Sequence, residues 1–554
     1  MIGILSKASE TRVVEEFFEC FKTPWEFYVP DRAYEVILTT CDEIPIGINA
    51  AVLVVYNSEP TQIDKNIGVV ASGSDQAGAW VEWNGVEFPV YGHVLMFRAP
   101  GQAIVTRKAT GETIGANLEK HRIVRIGFDL FNEVSFLFSK GQPSESAHIA
   151  TLDLHIALLR AIMFVAGVRF VEIPPAPAGY NFMLCLTHDV DFVGIRDHKF
   201  DHTMWGFVYR CFVGSLARLL AGTLTWSKCV HNWKAGLSLP FVYLGLQDDF
   251  WLEFERYVEI ERGLGSTFFF IPFKNTPGTC GSISAPRGRS AKYDLQKMTK
   301  QVRDLVSEGC EVGLHGLNAW QDFRDARAEM CRIREVSGQD VIGSRMHWLY
   351  WNENSPKALE EGGLLYDSTF GYNDAIGFRA GTTQAFCPLV ANNLIELPLN
   401  IQDTALFYAS RMRLSEEAAL DLCRRLVQAY CIHGGVLTIN WHTRSLSPER
   451  LWGDFYLQLL RELRSFRVWS GTARQISGWF RSRRKLGFES VEFSDTEVKM
   501  KLSGSLENGT PPFTIRIFAP TSQTARSKEG ATLCAIEPVA NVVWNGLQDV
   551  VVQF

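Results

Sequence analysis

Two aspartates separated by one residue end the apolar segment "FMLCLTHDVD" at residues 182–191. In an extended chain, side chains at positions i and i+2 point to the same side, so Asp189 and Asp191 are predicted to share one side. Two carboxylates at this spacing repel each other unless a cation lies between them. A divalent cation would allow one carboxylate to bind the metal while the other stays free as a base. For this pair alone, an Asx-type turn at the end of a strand is an equally simple explanation.

Further residues that bind metals or transfer protons follow other apolar runs of strand length. These are His315 after "CEVGL", Arg345 and His347 after "VIGS", Asp367 after "GLLY", and His442 after "GVLTINW". In parallel sheets and barrels, active sites collect at the carboxyl ends of the strands. Core packing alone does not predict such a succession, so we interpret these residues as parts of one site.

The roles of single residues in this group stay open on residue type alone. His442 suits a metal ligand or a general acid, because the unperturbed pKa of histidine is about 6.5. Arg345 is expected either to pair with Asp189 and hold it ionised, or to form an ordinary ion pair. His198 and His202 are four residues apart and would share a helix face, as metal-binding pairs do; a solvated helical face also fits them.

The elements that would carry these residues are predicted between positions 181 and 483. Apolar runs of strand length alternate there with amphipathic helical stretches, which predicts a parallel α/β arrangement, closed or open. Residues 146–180 are predicted to be a helix and a proline-rich linker. Residues 484–554 alternate polar and apolar positions, a pattern typical of a small β-sandwich.

Residues 1–145 are predicted to form a mixed α/β domain whose role the sequence leaves open. Strands are expected at "YEVILTT", "AAVLVVYNS" and "HVLMFRAP", and one or two more within "RIVRIGFDLFNEVSFLFSKGQP" at residues 122–143. A chain of 554 residues is too long for one hydrophobic core, so two to four domains are expected.

Composition narrows the range of partners and compartments. A formal net charge of -6 provides no basic field for nucleic acid. The apolar segment "FVYRCFVGSLARLLAGTLTW" contains Arg210 and Arg218, so we predict a buried or half-buried helix rather than a transmembrane segment, with amphipathic contact to a membrane surface as the alternative. The first residues lack the pattern of a secretory signal, and none of the 12 cysteines stands in a C-x-x-C pair. A cytoplasmic protein with reduced thiols is therefore expected.

Taken in order, these motifs resemble those of the polysaccharide deacetylase family, the carbohydrate esterases with a NodB-like domain. The resemblance covers residues 181–483 and implies a distorted (β/α) barrel. Its "THDVD" implies Asp189 as the catalytic base and Asp191 as a metal ligand. Its "GLHG" implies His315 as a second ligand. Its "GSRMHWLYW" and "VLTINWH" imply Arg345 as the residue that orients the base and His442 as the general acid.

The same resemblance suggests where a substrate would bind. The segment "YDSTFGY" is similar to the motif that shapes the substrate pocket, and it contains Asp367 and Tyr372. Trp441, Trp348 and Tyr372 are candidates for stacking on sugar rings, and Arg379 for contact with a charged or hydroxyl-rich group. Buried aromatic packing and a scaffold ion pair are the alternatives for these residues.

The sequence departs from the family pattern at one metal ligand. The family has a second histidine four residues after the first, and this chain has Ala319 there. Asp191 and His315 alone leave a catalytic zinc short of its usual three protein ligands. We predict His347 as the replacement ligand, with His198 or His202 as alternatives, and weak or absent metal binding as a third outcome.

The function expected from this resemblance is that of a metal-dependent deacetylase, with a divalent metal, zinc foremost, as cofactor. It would hydrolyse an N-acetyl group on a sugar or glycan precursor. A non-catalytic glycan-binding homologue, a hydrolase of a non-sugar C–N bond and a scaffold protein are the alternatives. The particular sugar and the oligomeric state are left open.

Overall fold

The computed structural model describes residues 1–45, 47–76, 78–281, 283–506, 509–520 and 538–553. The chain builds a mixed N-terminal sheet, a curled parallel central sheet and two small antiparallel C-terminal sheets. The predicted fold class is confirmed in its mixed α/β character and in its curled parallel sheet of deacetylase type.

The N-terminal sheet is parallel on one side and antiparallel on the other. Its order is β2-β1-β3-β4-β11-β10-β9-β6-β7, and the strands from β2 to β11 in this order are parallel. The strands of this part are β1 Ile2–Leu5, β2 Trp25–Phe27, β3 Tyr34–Thr39, β4 Ala50–Tyr56, β5 Val70–Asp75, β6 Ala79–Trp83, β7 Val86–Val90, β8 Val94–Arg98, β9 Gln102–Arg107, β10 Thr113–Leu118 and β11 Ile123–Ile126. Of these, β5 and β8 pair with each other in a separate two-stranded antiparallel sheet. The helices of this part are α1 Thr11–Cys20, α2 Gln62–Asn66, α3 Leu130–Ser139 and α4 Thr151–Val165. The strands predicted at "YEVILTT", "AAVLVVYNS" and "HVLMFRAP" are confirmed as β3, β4 and β8.

The prediction for residues 122–143 is wrong in its second half, which forms helix α3. The Asp129 side chain accepts hydrogen bonds from the backbone N–H groups of Phe131 and Asn132 and so caps the helix. Val134 and Leu137, three residues apart on one face of the helix, are buried against the sheet. The apolar run is long enough to satisfy either periodicity, and the cap at Asp129 favours the helix.

Helix α4 is joined to the central part by a buried carboxylate. Asp153 accepts hydrogen bonds from Thr382 Oγ1 (2.7 Å), Thr383 N (2.8 Å) and Thr383 Oγ1 (2.9 Å). The proline-rich segment that follows the helix is buried over residues 171–177. This segment is therefore packed against its neighbours and does not cross solvent.

We expect Asp153→Ala to lower the free energy of unfolding by about 1–3 kcal/mol, because Thr382 and Thr383 would keep buried polar groups without partners. Chemical denaturation of the full chain measures this change. The matched control is Asp495→Ala, at a fully exposed side chain, which should leave the midpoint unchanged. Equal midpoints for both variants would contradict this role of Asp153.

The central sheet is the part that carries the predicted site. Its order is β20-β19-β18-β17-β14-β13-β22-β21, every neighbouring pair is parallel, and β23 also pairs with β13. The strands of this region are β12 Phe170–Glu172, β13 Phe182–Val190, β14 Ser266–Phe270, β15 Thr279–Cys280, β16 Ile283–Ser284, β17 Glu311–Gly316, β18 Ser344–Met346, β19 Tyr366–Asp367, β20 Ile395–Glu396, β21 Ile401–Gln402, β22 Val436–Asn440 and β23 Val468–Ser470. All residues of β13 are buried, as expected for a central parallel strand.

The described part of this region contains eleven α-helices, and the first four of them lie between β13 and β14. They are α5 His202–Tyr209, α6 Ser215–Leu220, α7 Trp226–Tyr243, α8 Phe254–Ile260, α9 Thr299–Ser307, α10 Phe323–Ser337, α11 Ser355–Gly362, α12 Asp403–Phe407, α13 Glu416–His433, α14 Gly453–Leu463 and α15 Ala473–Lys485. A π-helical turn, Arg210–Gly214, joins α5 to α6. Among the described residues, every helix is too short or too polar to cross a bilayer.

The C-terminal strands form two three-stranded antiparallel sheets. They are β24 Gly487–Phe493, β25 Glu497–Ser503, β26 Phe513–Phe518, β27 Ala540–Trp544 and β28 Asp549–Gln553. One sheet has the order β24-β25-β28, and the other has the order β12-β26-β27. Strand β12 comes from the region predicted as a linker, so the second sheet combines strands from both sides of the central part.

Candidate active site

Strands β13, β17 and β18 of the central sheet bring Asp191, His315 and His347 together. Asp191 follows β13, His315 lies in β17 and His347 follows β18. Asp191 Oδ1 lies 3.3 Å from His315 Nε2 and 3.2 Å from His347 Nε2. The ligand atoms of the three residues all lie within 4.8 Å of one another, which is close enough for one ion to contact all three.

The hydrogen bonds around this cluster favour a cation. The Nδ1–H group of His315 donates to the backbone carbonyl oxygen of Arg345 at 2.9 Å, so its Nε2 faces Asp191. Asp191 Oδ1 is buried and has no hydrogen-bond partner. A buried carboxylate oxygen without a hydrogen bond needs a compensating positive charge. The donor set of one carboxylate and two imidazoles therefore fits a divalent metal.

The electrostatics give these ligands the protonation states that a metal needs. Burial alone would raise the pKa of Asp191, but His347 and the contacts with His315 lower it well below its usual range. Burial lowers the pKa of His347 to about 4. Asp191 is thus ionised and His347 neutral near pH 7, the forms in which each residue binds a metal.

Asp189 lies beside this cluster and is held from two sides. Its Oδ1 accepts a hydrogen bond from Arg345 Nη1 (3.1 Å), and its Oδ2 accepts one from Asn440 Nδ2 (2.8 Å). Burial would raise the pKa of Asp189, but the charges of His315 and Arg345 lower it below its usual range. Asp189 Oδ2 lies 3.8 Å from His315 Nε2, so an ionised carboxylate faces the candidate metal position.

The guanidinium of Arg345 is fully buried and fixed by the strands around it. It donates to Thr187 Oγ1 (2.7 Å), to the Ser368 carbonyl oxygen (2.9 Å) and to Ser368 Oγ (2.8 Å). The guanidinium also lies over the ring of Phe269 at 4.8 Å. The arginine therefore has one orientation in which to present Nη1 to Asp189.

His442 follows β22, which neighbours β13 on the side away from β14 and β17. Its Nδ1 lies 2.6 Å from Asp403 Oδ1, and its backbone N–H donates to Asp403 Oδ2 at 2.8 Å. Its Nε2 lies 3.8 Å from Asp191 Oδ2. Burial would lower the pKa of His442, but Asp403 and then the site aspartates raise it to about 10. The imidazole is thus positively charged near pH 7 and can donate a proton from Nε2.

Sequence reasoning missed Asn440 and Asp403. Asn440 ends β22 two residues before His442, and its polar side chain in a buried strand is the signal that could have found it. Asp403 directly follows β21, so the strand-end rule that found the other residues applies to it as well. That strand was not recognised, because Ile401–Gln402 is too short to show a periodicity.

Arg289 is a further buried residue that the sequence did not indicate. It donates to the carbonyl oxygens of Pro277 (2.7 Å), Leu317 (2.8 Å) and His347 (3.0 Å). These bonds join the loops after β14, β17 and β18. Trp348, next to His347, has a left-handed φ of 60°, an uncommon conformation for a bulky residue. Arg289 thus fixes the backbone of the turn that presents His347.

Two predicted substrate contacts are wrong because the residues are buried. Trp441 has no exposed surface, and its ring stacks on Phe455 and Tyr456, so neither face is free for a sugar. Asp367 is also buried, and its Oδ1 accepts hydrogen bonds from Ser344 Oγ (2.7 Å) and Thr369 Oγ1 (2.8 Å). Asp367 therefore supports the strands beneath the site.

Tyr372 and Arg379 face the N-terminal part of the chain. The Tyr372 hydroxyl donates to the carbonyl oxygen of Gln142 at 2.8 Å. Arg379 donates to the carbonyl oxygen of Gly371 at 2.9 Å and lies over the ring of Phe370. Polar atoms of both residues bind backbone of the scaffold, and the predicted substrate contacts at Tyr372 and Arg379 stay predictions.

The structure does not bring the alternative histidines into the metal cluster. His198 Nδ1 lies 2.7 Å from Asp201 Oδ2, and its ring packs near Phe192 and Trp251. His202 begins helix α5 and is exposed. Ala319, at the position of the missing family histidine, is fully buried. Of the proposed third ligands, His347 is the one that reaches Asp191.

Comparisons with known proteins were made for sequence and for structure. No family model and no curated protein matches the sequence. Solved structures similar to the chain include the carbohydrate deacetylase Agd3, with 10% identity, coverage of 100% of this chain and 98% of that chain, and a TM-score of 0.40. A protein from Mycobacterium smegmatis assigned as a polysaccharide deacetylase has 20% identity, coverage of 56% and 96%, and a TM-score of 0.36. PuuE allantoinase has 13% identity, coverage of 55% and 92%, and a TM-score of 0.33.

These neighbours include polysaccharide deacetylases, the class of protein that the sequence motifs resemble. Every one of these TM-scores is less than 0.5, so a function for this chain depends on the residues of its own site.

Proposed function

We propose that this protein is a metal-dependent hydrolase that removes an N-acetyl group from a sugar or a glycan precursor. The observation that carries the proposal is the convergence of Asp191, His315 and His347, with Asp189 and His442 beside them. Three metal ligands, a carboxylate base and a protonated imidazole are the groups that metal-assisted amide hydrolysis requires.

Asp191, His315 and His347 would hold the metal, and zinc suits a site of one carboxylate and two imidazoles. When bound, a divalent cation polarises the amide carbonyl and lowers the pKa of a water molecule toward neutrality. The Arg345 carbonyl fixes the tautomer of His315, and Arg289 fixes the turn that presents His347. Both ligand nitrogens are thereby positioned before a metal arrives.

Asp189 would act as the general base that takes a proton from the attacking water. The role needs an ionised carboxylate with an oxygen near the cluster, and Asp189 Oδ2 lies 3.8 Å from His315 Nε2. Arg345 and Asn440 hold this carboxylate from opposite sides and restrict its rotation. A base held in this way loses little entropy in the reaction.

His442 would act as the general acid that protonates the leaving amine. Asp403 accepts from Nδ1, which leaves Nε2–H directed at the same space as Asp191 Oδ2. An amine leaves an amide poorly unless it is protonated, so this proton is essential for C–N cleavage. The base and the acid thus both lie beside the three proposed metal ligands.

Trp348 offers an aromatic surface for a sugar ring beside the proposed metal ligands. Trp348 follows His347, and its ring centroid lies 5.7 Å from that of His347. Its side chain is partly exposed, unlike that of Trp441. A flat, half-exposed indole beside the metal ligands is a suitable stacking surface for a pyranose.

The function is tested by acetate release from N-acetylated chitooligosaccharides and nucleotide-linked N-acetyl sugars. We expect acetate release that is lost after chelation and restored by Zn²⁺. A panel of cyclic amides and ureides should remain uncleaved. Absence of acetate from a zinc-saturated protein, or cleavage confined to the cyclic compounds, would contradict the proposal.

His347→Ala should weaken Zn²⁺ binding by more than about 100-fold, since a direct ligand matters at least as much as the partners that orient it. Titration calorimetry on metal-free protein measures the change. The matched control is His198→Ala, which should keep the wild-type affinity because His198 pairs with Asp201 outside the cluster. If His198→Ala weakens Zn²⁺ binding and His347→Ala does not, the ligand assignment is wrong.

A further inference from the structure

Residues 200–246 form a helical hairpin with an unusually apolar outer surface. Of the large apolar side chains in the described part of the chain, fifteen are more than half exposed, and ten of these lie within the hairpin. Leu220 is 80% exposed and Leu246 is 73% exposed. Such a concentration marks a surface that contacts another phase or partner.

The exposed residues of the first arm follow helical spacing. Trp205, Tyr209, Leu216 and Leu220 lie along the solvent side of α5, the π-helical turn and α6. The inner side of the same arm buries residues such as Phe207 against α7. The arm is therefore apolar on both sides, whereas a helix on an ordinary protein surface is polar on its outer side.

The second arm has the same construction. Leu237 and Phe241 in α7 and Leu244 directly after it are exposed at intervals of four and three residues. Leu239 and Val242 point inward and are buried. The hairpin therefore has its own small core, and its outer residues are not needed to keep the two arms together.

Apart from Asp201, which caps α5 and pairs with His198, the charged residues of the hairpin are all basic. Residues 202–247 contain Arg210, Arg218, Lys228 and Lys234 and no aspartate or glutamate, although the whole chain has a net charge of -6. Apolar and aromatic side chains combined with basic ones are typical of helices that lie in the interface of an anionic bilayer. Trp205, Tyr209 and Trp226 are of the types enriched at that interface.

The hairpin leaves the central sheet next to the candidate active site. It begins shortly after Asp191, and its base is closed by Asp249, which accepts hydrogen bonds from the backbone N–H groups of Ile195 and Arg196. Arg444, two residues after His442, lies 3.8 Å over the ring of Trp251 at this base. The base of the hairpin thus lies beside the candidate site.

We propose that this hairpin docks the protein on an anionic lipid surface. The apolar stripes would enter the interface, and Arg218 and Lys234 would contact the headgroups. A second copy of the chain is a poorer occupant, because a symmetric dimer through the hairpins would place positive charges against positive charges. Docking is independent of the chemistry of the metal site, which lies beside the base of the hairpin.

Sedimentation of the full chain with lipid vesicles tests the proposal. We expect binding to vesicles that contain phosphatidylglycerol, weaker binding in high salt, and little binding to pure phosphatidylcholine. The double variant Leu220→Asp, Leu244→Asp should partition more than about tenfold more weakly, because each leucine loses its burial in the interface. The double variant Arg218→Glu, Lys234→Glu should lose the preference for phosphatidylglycerol.

The matched control is the double variant Leu547→Asp, Val551→Asp, at apolar residues of the C-terminal region that are also more than half exposed. It should bind vesicles as the wild type does, and all variants should keep the wild-type thermal unfolding midpoint. The proposal is overturned if the wild type ignores both kinds of vesicle, or if hairpin and control variants bind alike. A dimer in light scattering that Leu220→Asp dissociates, without vesicle binding, would assign the surface to a second copy.

Discussion

Asp189→Asn is expected to lower kcat by about 10²–10⁴-fold, the usual contribution of a general base, while Zn²⁺ affinity stays near that of the wild type. Asparagine has the size of aspartate and can still accept from Arg345, but it cannot take a proton. Steady-state acetate release and zinc titration on the same preparation measure the two quantities.

The matched comparison is Asp191→Asn, two residues along the chain. This variant removes the carboxylate whose Oδ1 faces both histidines, so it should lose zinc affinity and activity together. If Asp189→Asn also loses the metal, then Asp189 is a ligand and another group must be the base. Unchanged activity in Asp189→Asn would remove it from the reaction.

Asp403→Asn should lower kcat by roughly 10²–10⁴-fold through its effect on the general acid His442. Asparagine cannot provide the negative charge that raises the pKa of His442, and its amide group orients the imidazole less well. The raised pKa keeps the donating form present below that value, and the form is lost as pH rises through it. The variant should therefore lose activity at a lower pH than the wild type.

The pH profile separates this effect from a general loss of structure. A positioning role for Asp403 predicts that the alkaline limb of kcat/KM moves to lower pH while zinc affinity is kept. Ser445→Ala, which removes a hydroxyl that donates to Asp403, is the milder control and should move the limb less. An unchanged alkaline limb, with activity lost in proportion to unfolded protein, would leave Asp403 with a purely structural role.

The main residues of the site could be predicted because strand ends are readable in a sequence. Asp189, Asp191, His315 and His442 each follow an apolar run, and parallel strands place such residues at one edge of a sheet. His347 could be proposed as a ligand because it lies two residues from Arg345. Which nitrogen of His315 faces Asp191 could not be predicted, since a backbone carbonyl of a neighbouring strand decides it.

The residues that were missed or misassigned depend on long-range packing. Arg289 binds carbonyl oxygens in three separate loops, and no local pattern indicates those partners. Trp441 looked available because it precedes His442, but α14 covers its ring. Tyr372 and Arg379 are bound by scaffold backbone, Tyr372 by Gln142 some 230 positions earlier in the chain.

Helix α3 shows a limit of predicting secondary structure from the spacing of apolar residues. Its apolar run satisfies strand and helix patterns alike, and the choice depends on the cap at Asp129. The same limit applies to the hairpin of α5, α6 and α7. Its apolar residues predicted a helix, but only the structure shows that half of them face outward.

The most direct measurement is a crystal structure of zinc-soaked protein with anomalous data collected at the zinc edge. One strong anomalous peak is predicted within about 2.0–2.2 Å of Asp191 Oδ1, His315 Nε2 and His347 Nε2, the distances of zinc–oxygen and zinc–imidazole bonds. A peak that lacks any of these three contacts, or a zinc-saturated protein whose peak lies at other residues, would contradict the proposed centre.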